Sequence, residues 1–221
     1  MIKIPSVNRP TKLIKCLQSF QKNAQNIEDI AFCISCNTED PDTNNENFIE
    51  AIKKFKNTHI FFKNTSNKIE AYNADIERFD FEILIAASDE AEAICKNYDE
   101  IIIQCMEKHF PDNDGVLWFD AEDSLTTDSL SIVGEKYYDR FNYIYNNQYH
   151  GYFCDDEFTQ IAFKLGKIIR IDRKIIKRNI SNRFGILKDD TYLKSLEFGT
   201  RDKALYKIRK NIQFNIAGAD P

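Results

Sequence analysis

The stretch FEILIAASDEAEAI, residues 81–94, sets an apolar run against a crowd of acids. Phe81 to Ala87 are apolar apart from Glu82, as a strand entering a core requires. Ser88, Asp89, Glu90 and Glu92 then gather hydroxyl and carboxylate oxygens at its end. Two hard carboxylates side by side can hold Mg2+ or Mn2+. They would equally suit the exposed first turn of a following helix, where the dipole favours negative charge. A second acidic cluster, Asp155, Asp156 and Glu157, precedes Phe158, Ile161, Ala162 and Leu165, whose spacing is helical. There too the acids either only stabilise a helix start or supply a general base.

The elements that must position these groups alternate along the chain. MIKIPSV, IAFCISC, HIFF (59–62), FEILIAA and GVLWF (115–119) read as strands. Between them Leu13, Ile14, Leu17 and Phe20, then Phe48, Ala51, Ile52 and Phe55, then Ile69, Tyr72, Ile76 and Phe79, and finally 98–110, read as helices, the first with Pro10 at its opening position. Strands interleaved with helices imply an α/β domain with a mainly parallel sheet covered on both faces. Open sheets of that kind bind ligands at the carboxyl ends of their strands. Four successive strands end in polar groups: Ser6, Asn8 and Arg9; Asn37 to Asp40; Asn64 to Lys68; Ser88 to Glu90. Arg9 and Lys68 can meet phosphate oxygens, Asn and Asp can read hydroxyls and base edges, and paired carboxylates can hold a metal. A nucleoside diphosphate with a divalent ion satisfies all three.

Other chemistries lack their parts. The chain has no G-x-G-x-x-G, no P-loop, no HExxH and no G-x-S-x-G, and its His are three, at 59, 109 and 150. Asp40-Pro-Asp42-Thr-Asn44 imitates the start of a calcium loop, but Asn45 and Ala51 stand where Gly and Glu are needed. Cys33 and Cys36 have CxxC spacing inside a strand with no second pair, so all six cysteines read as small apolar residues in a reducing compartment. The 221 residues suit one sizeable domain, and the start MIKIPSVNRP has no apolar signal region, which predicts a cytoplasmic protein without a membrane span. Net charge is −5, yet from Lys164 onward 15 basic residues face 6 acidic ones. That basic region is either a set of solvated helices or a surface for polyanions.

Six motifs run in order over residues 2–178: PSVNRP (5–10), CNTEDPD (36–42), Asn67-Lys68-Ile-Glu-Ala71-Tyr-Asn73, Ser88-Asp89-Glu90, VLWF (116–119) and CDDEFT (154–159). Together they resemble the GT-A class of nucleotide-sugar glycosyltransferases, especially compact members from phages and bacteria. The resemblance implies a GT-A-like, Rossmann-related domain over 1–185 with a basic helical extension over 186–221. It implies transfer of a sugar, with inversion, from a nucleoside-diphosphate donor, a UDP-sugar by preference. The acceptor hydroxyl would lie on a glycan or on a hydroxylated base in phage DNA, in the latter case in the host cytoplasm. Asp89, with Glu90 as second ligand, would hold Mn2+ or Mg2+. Pro5, Ser6, Asn8 and Arg9 would line the nucleoside pocket, Asp40 would contact the base, and Lys68 and Asn73 would approach ribose or diphosphate, with Ser88 and Arg178 completing the donor site. Asp156 or Glu157 would be the catalytic base and Asp155 a helix cap, with Asp120, Glu122 and Asp123 in reserve. One departure stands out: the stretch IDRKIIKRNI (171–180) lacks the metal-binding His that such enzymes often carry there, and has Arg173, Lys174, Lys177 and Arg178 instead. Fewer metal ligands, cations in place of part of the metal, or a non-catalytic nucleotide- or nucleic-acid-binding module all accommodate that.

Overall fold

Alternation of apolar side chains decides the layers. In the computed structural model, which describes residues 1–120, 127–128, 130–178 and 197–216, Leu84 and Ala86 of β4 (Ile83–Ala86) face one apolar layer. Ile85 and Ala87 face the other. A strand buried on both sides must be apolar throughout, and this one is. One layer packs Leu13, Leu17 and Phe20 of α1 (Pro10–Asn23), Phe48 and Ile52 of α2 (Glu46–Ile52) and Tyr98, Ile102 and Met106 of α4 (Tyr98–His109). The opposite layer packs Ile69 and Tyr72 of α3 (Lys68–Asn73), Tyr137 of α5 (Glu135–Asp139) and Phe158 and Ala162 of α6 (Cys154–Lys164).

The main sheet has seven strands in the order β3-β2-β1-β4-β7-β6-β8. Beside β4 these are β1 (Ile2–Ser6), β2 (Phe32–Asn37), β3 (Thr58–Lys63), β6 (Val116–Phe119), β7 (Ile132–Gly134) and β8 (Ile168–Ile171). All run parallel except β7, which is antiparallel to both β4 and β6. A two-stranded ribbon joins β5 (Ala91–Ala93) to β9 (Ile176–Arg178), and a basic helix α7 (Gly199–Asn211) closes the described chain. Strand order reverses between β1 and β4, the place where open sheets leave a crevice.

The mainly parallel α/β sheet and its five expected strands are present, with α1 opening on Pro10 as expected. Four further strands, β5 and β7 to β9, are three or four residues long, too short for a period of two to declare itself. The first-turn alternative for Glu90 and Glu92 is corrected: Glu92 lies in β5, and α4 begins only at Tyr98. Lys68 opens α3, because Asn67 caps that helix by accepting from the Ile69 and Glu70 amides. Glu122, Asp123, the 185/186 boundary and much of the expected extension lie outside the described residues. No described helix is long and apolar enough to cross a membrane.

Candidate functional site

The ends of β1, β2 and β4, the β3–α3 loop and the segment entering α6 enclose a cleft of about 590 Å3. Across the switch point Ser6 Oγ donates to Asp89 Oδ2 at 2.8 Å, tying the end of β1 to the residue that follows β4. Asp89 is 5% exposed, and burial pushes its carboxyl upward against the counter-effects of Arg9 and the Ser6 hydroxyl. Arg9 stands 3.5 Å from both Asp89 and Glu90, while Lys12 of α1 holds Glu90 at 2.7 Å. Beside them the buried Ser88 Oγ has no hydrogen-bond partner among the described residues. A buried hydroxyl left so is costly unless something enters the cleft to meet it.

Under the cleft floor is a polar network that sequence reasoning missed. Ser35 lines the cleft and donates to Asp75 Oδ2 at 2.8 Å; it also receives a short bond from the ammonium of Lys3, which is fully buried. Burial lowers the Lys3 pKa, opposed by Cys33 and Asp75. In sequence Lys3 is one polar letter in an alternating strand and gives no sign of a partner 32 residues away.

Lys68 enters from the β3 side with its ammonium 5.4 Å from the Tyr72 ring centre. Its side chain is open to solvent yet sunk among protein groups, and that desolvation, followed by repulsion from Arg178, lowers its pKa. Arg178 reaches the same cleft because β9 pairs with β5 and sets it opposite Ala91, two residues beyond Asp89. The cleft therefore gathers Pro5, Ser6, Asn8, Arg9, Lys68, Ser88, Asp89, Glu90 and Arg178 from the expected set.

Two expected donor contacts are not in its lining. Asp40 is buried and accepts from the Asn8 amide at 2.7 Å, the Thr43 hydroxyl at 2.6 Å and the Asp42 amide at 2.9 Å, so it binds two loops together. Asn73 donates to the Tyr145 carbonyl and the Asn147 amide oxygen, both at 2.6 Å, and accepts from the Ile144 amide at 2.9 Å. Both residues shape the walls from behind.

The second acidic cluster is split three ways. Phe153 takes the left-handed conformation at φ 61° as the N-cap of α6, in place of the expected Asp155 cap. Of the three acids only Asp155 lines the cleft. Asp156 accepts from Thr127 Oγ1 at 3.0 Å. Glu157 is 2% exposed and takes both Arg209 Nε and Nη2, at 2.7 and 2.8 Å, with the Tyr149 hydroxyl at 2.8 Å. Burial first, and the neighbouring Asp156 second, raise the Asp155 pKa. That wall is completed by His150, Gly151, Tyr152 and Phe198. The amides of residues 150, 151 and 152 all donate, at 2.9–3.2 Å, to the fully buried carboxylate of Asp202 in α7. These pairs span about 50 residues, and no short-range motif announces them.

Among the described residues no three His, Cys, Asp or Glu side chains are grouped to enclose a metal. Asp89, buried at the cleft with only one short hydrogen bond, and the partnerless Ser88 hydroxyl fit an ion that brings its own ligands, as Mg2+ does when bound through one or two carboxylates and substrate phosphates. They do not fit a cage made by protein alone.

Sheet order, switch-point cleft and acidic strand end define a GT-A-like fold, and solved structures share it. TarS of S. aureus superimposes with a TM-score of 0.65 at 11% identity over 81% of this chain and 36% of that chain. The 1–349 form of TarS in complex with UDP-GlcNAc gives 0.65 at 11%, over 88% and 63% respectively. Mannosyltransferase PcManGT from Pyrobaculum calidifontis, in complex with GDP-Man and Mn2+, gives 0.65 at 10%, over 83% and 57%. The chain thus spans less than two thirds of each of these proteins. No protein-family model matches the sequence, and no curated protein does.

Proposed function

We propose that the chain transfers a sugar from a nucleoside-diphosphate donor to an acceptor hydroxyl. The observation that carries this reading is a single cleft at the switch point that joins a buried carboxylate, Asp89, and a partnerless hydroxyl, Ser88, to the cations Arg9, Lys68 and Arg178. Pro5, Ser6 and Asn8 line the nucleoside end, and Asp89 would hold Mn2+ or Mg2+ arriving with the diphosphate, with Glu90 available only on leaving Lys12. Such an ion supplies Lewis-acid charge to the leaving phosphate. That complexes of the two glycosyltransferases contain UDP-GlcNAc in one case, and GDP-Man with Mn2+ in the other, supports the same assignment.

The base falls to Asp155. It faces the cleft, whereas Glu157 is committed to Arg209 and Asp156 to Thr127. A carboxylate whose protonated form is favoured by burial accepts a proton more readily at neutral pH. As the acceptor oxygen attacks the anomeric carbon, its proton passes to Asp155. The bond from that carbon to the β-phosphate oxygen breaks, and its electron pair leaves with the diphosphate. Attack opposite the leaving group gives inversion. The acceptor hydroxyl belongs to a glycan or to a hydroxylated base in DNA, and the exposed Lys203, Lys207 and Lys210 of α7 favour an acceptor that carries negative charge.

The test is a screen of UDP- and GDP-sugars by thermal shift, followed by detection of released nucleoside diphosphate with candidate acceptors. A true donor at about 100 times its Kd stabilises the fold by about 2.7 kcal/mol. Stabilisation by none of them refutes the donor site.

A further inference from the structure

Helix α7 is packed on its inner side only. There Asp202 takes the amides of the 150–152 segment, Arg209 takes Glu157, and Leu205 and Tyr206 lie against the apolar layer beneath. The helical period then turns Lys203, Lys207 and Lys210 outward as one stripe, with Ile208 and Ile212 as the stripe beside it. Ile208 is 61% exposed, the highest value of any large apolar side chain described, and Ile212 is 48% exposed. Phe163, near the end of α6, is 54% exposed, and its neighbour Lys164 reaches Gln213 Oε1 at 3.4 Å, which ties that end of α6 to the end of α7. The single acid of α7, Asp202, is buried, so the charges on the outer face of the helix are all positive. A second copy of the chain would bring like charges together there. A bare polyanion would meet the lysines and leave the isoleucines in water. An anionic bilayer surface takes both, since headgroups attract the lysines while the acyl boundary covers the isoleucines. The rest of the chain favours the same orientation: before Lys164 there are 29 acidic residues against 15 basic ones, so such a surface repels the body and attracts this face. With 13 residues the helix has the length to lie on a membrane and not to span it.

We propose that the outer face of α7, with Phe163 at its edge, docks on an anionic lipid bilayer with the helix axis along the surface. The negative charge that the lysines favour is then that of lipid headgroups. The inner face of the same helix holds the 150–152 segment that lines the cleft, so docking sets that wall about one helix diameter, roughly 10 Å, from the lipid. None of the docking side chains lines the cleft, so lipid binding and donor binding stand or fall separately.

The experiment floats the full chain with vesicles of phosphatidylcholine and phosphatidylglycerol in equal parts, and with vesicles of phosphatidylcholine alone, at low and high salt, and titrates duplex DNA in parallel. The chain is expected to float with the anionic vesicles at low salt, to be released as salt rises, and to stay behind with phosphatidylcholine alone. Lys207→Gln should lower the partition coefficient about fivefold, and the triple variant with Lys203→Gln and Lys210→Gln roughly 100-fold. Ile208→Ser with Ile212→Ser should lower it about tenfold or more at unchanged charge. Ile208→Trp should keep binding, with indole emission shifted to the blue on vesicles. Melting curves check that each variant keeps the fold. Absence of binding to anionic vesicles, or binding that the isoleucine variants leave unchanged, overturns the docking face. Tighter binding to duplex DNA than to anionic vesicles, lost with the lysines and indifferent to the isoleucines, also overturns it and makes α7 a surface for polyanions.

Discussion

At the scale of single residues, position relative to the cleft separates acids that look alike in sequence. Asp155→Asn is expected to keep nucleotide binding and melting temperature while lowering kcat by about 10²-fold or more, because positioned proton transfer contributes that much. Turnover with a true acceptor, measured beside nucleotide affinity, checks it. Glu157→Gln belongs to a different class of effect. It leaves the Arg209 guanidinium buried without its counter-charge, and urea unfolding should show a loss of roughly 3 kcal/mol, the scale of a broken buried ion pair. If turnover falls with stability unchanged, the two assignments are reversed. The sequence showed that residues 155–157 begin a helix and carry acid; which acid faces the cleft depends on Phe153 at φ 61°, a backbone choice that the letters do not announce. The same limit explains Asp40 and Asn73, whose residue types suited a ligand but whose hydrogen bonds go to neighbouring loops.

At the scale of elements, the antiparallel β7 and its neighbours are locked by charge. Asp114, just before β6, receives Arg140 Nη1 at 2.8 Å and Nη2 at 3.0 Å, and Lys167, just before β8, at 2.8 Å. The Arg140 bond above all holds its carboxyl down at about 2. A folded pKa below the unfolded one stabilises the fold above the unfolded value, near 4, and that contribution fades as pH falls from about 4 through 2. The site is nearly buried, so the stake is on the order of 2 kcal/mol. Asp114→Asn should therefore be less stable than wild type at pH 6, with the gap closing by pH 2 in denaturant titrations; a constant gap would show that the ion triad is not its cause. Long apolar strands and the helices between them were legible because each carries several turns or pleats of pattern. β5 and β9 were not, although their pairing is what brings Arg178 into the cleft that Asp89 lines.

At the scale of the whole molecule, the sheet and its strand-end cleft were readable because one local rule repeats along the first 120 residues, and each strand end carries its own polar signature. The wall formed by residues 145–155 was not readable, because it depends on a helix some 50 residues further along the chain. Asp202 gathers three backbone amides of that wall, Arg209 holds the helix that bears Asp155, and Tyr206 stacks on Phe153 with ring centres 5.5 Å apart. These contacts are non-local, so the loop between them must close before any of them forms. During synthesis the β1–β4 half can organise while α7 is still unmade, and the segment at 150–152 waits with its amides turned to water. On the proposed reading, assembly would then run from the nucleotide side of the cleft to the wall that α7 braces, so that α7 completes the site. On that reading, a chain halted before Asp202 would hold a place for nucleotide and no finished surface opposite it, a half-built protein expected to bind a donor and not to spend it.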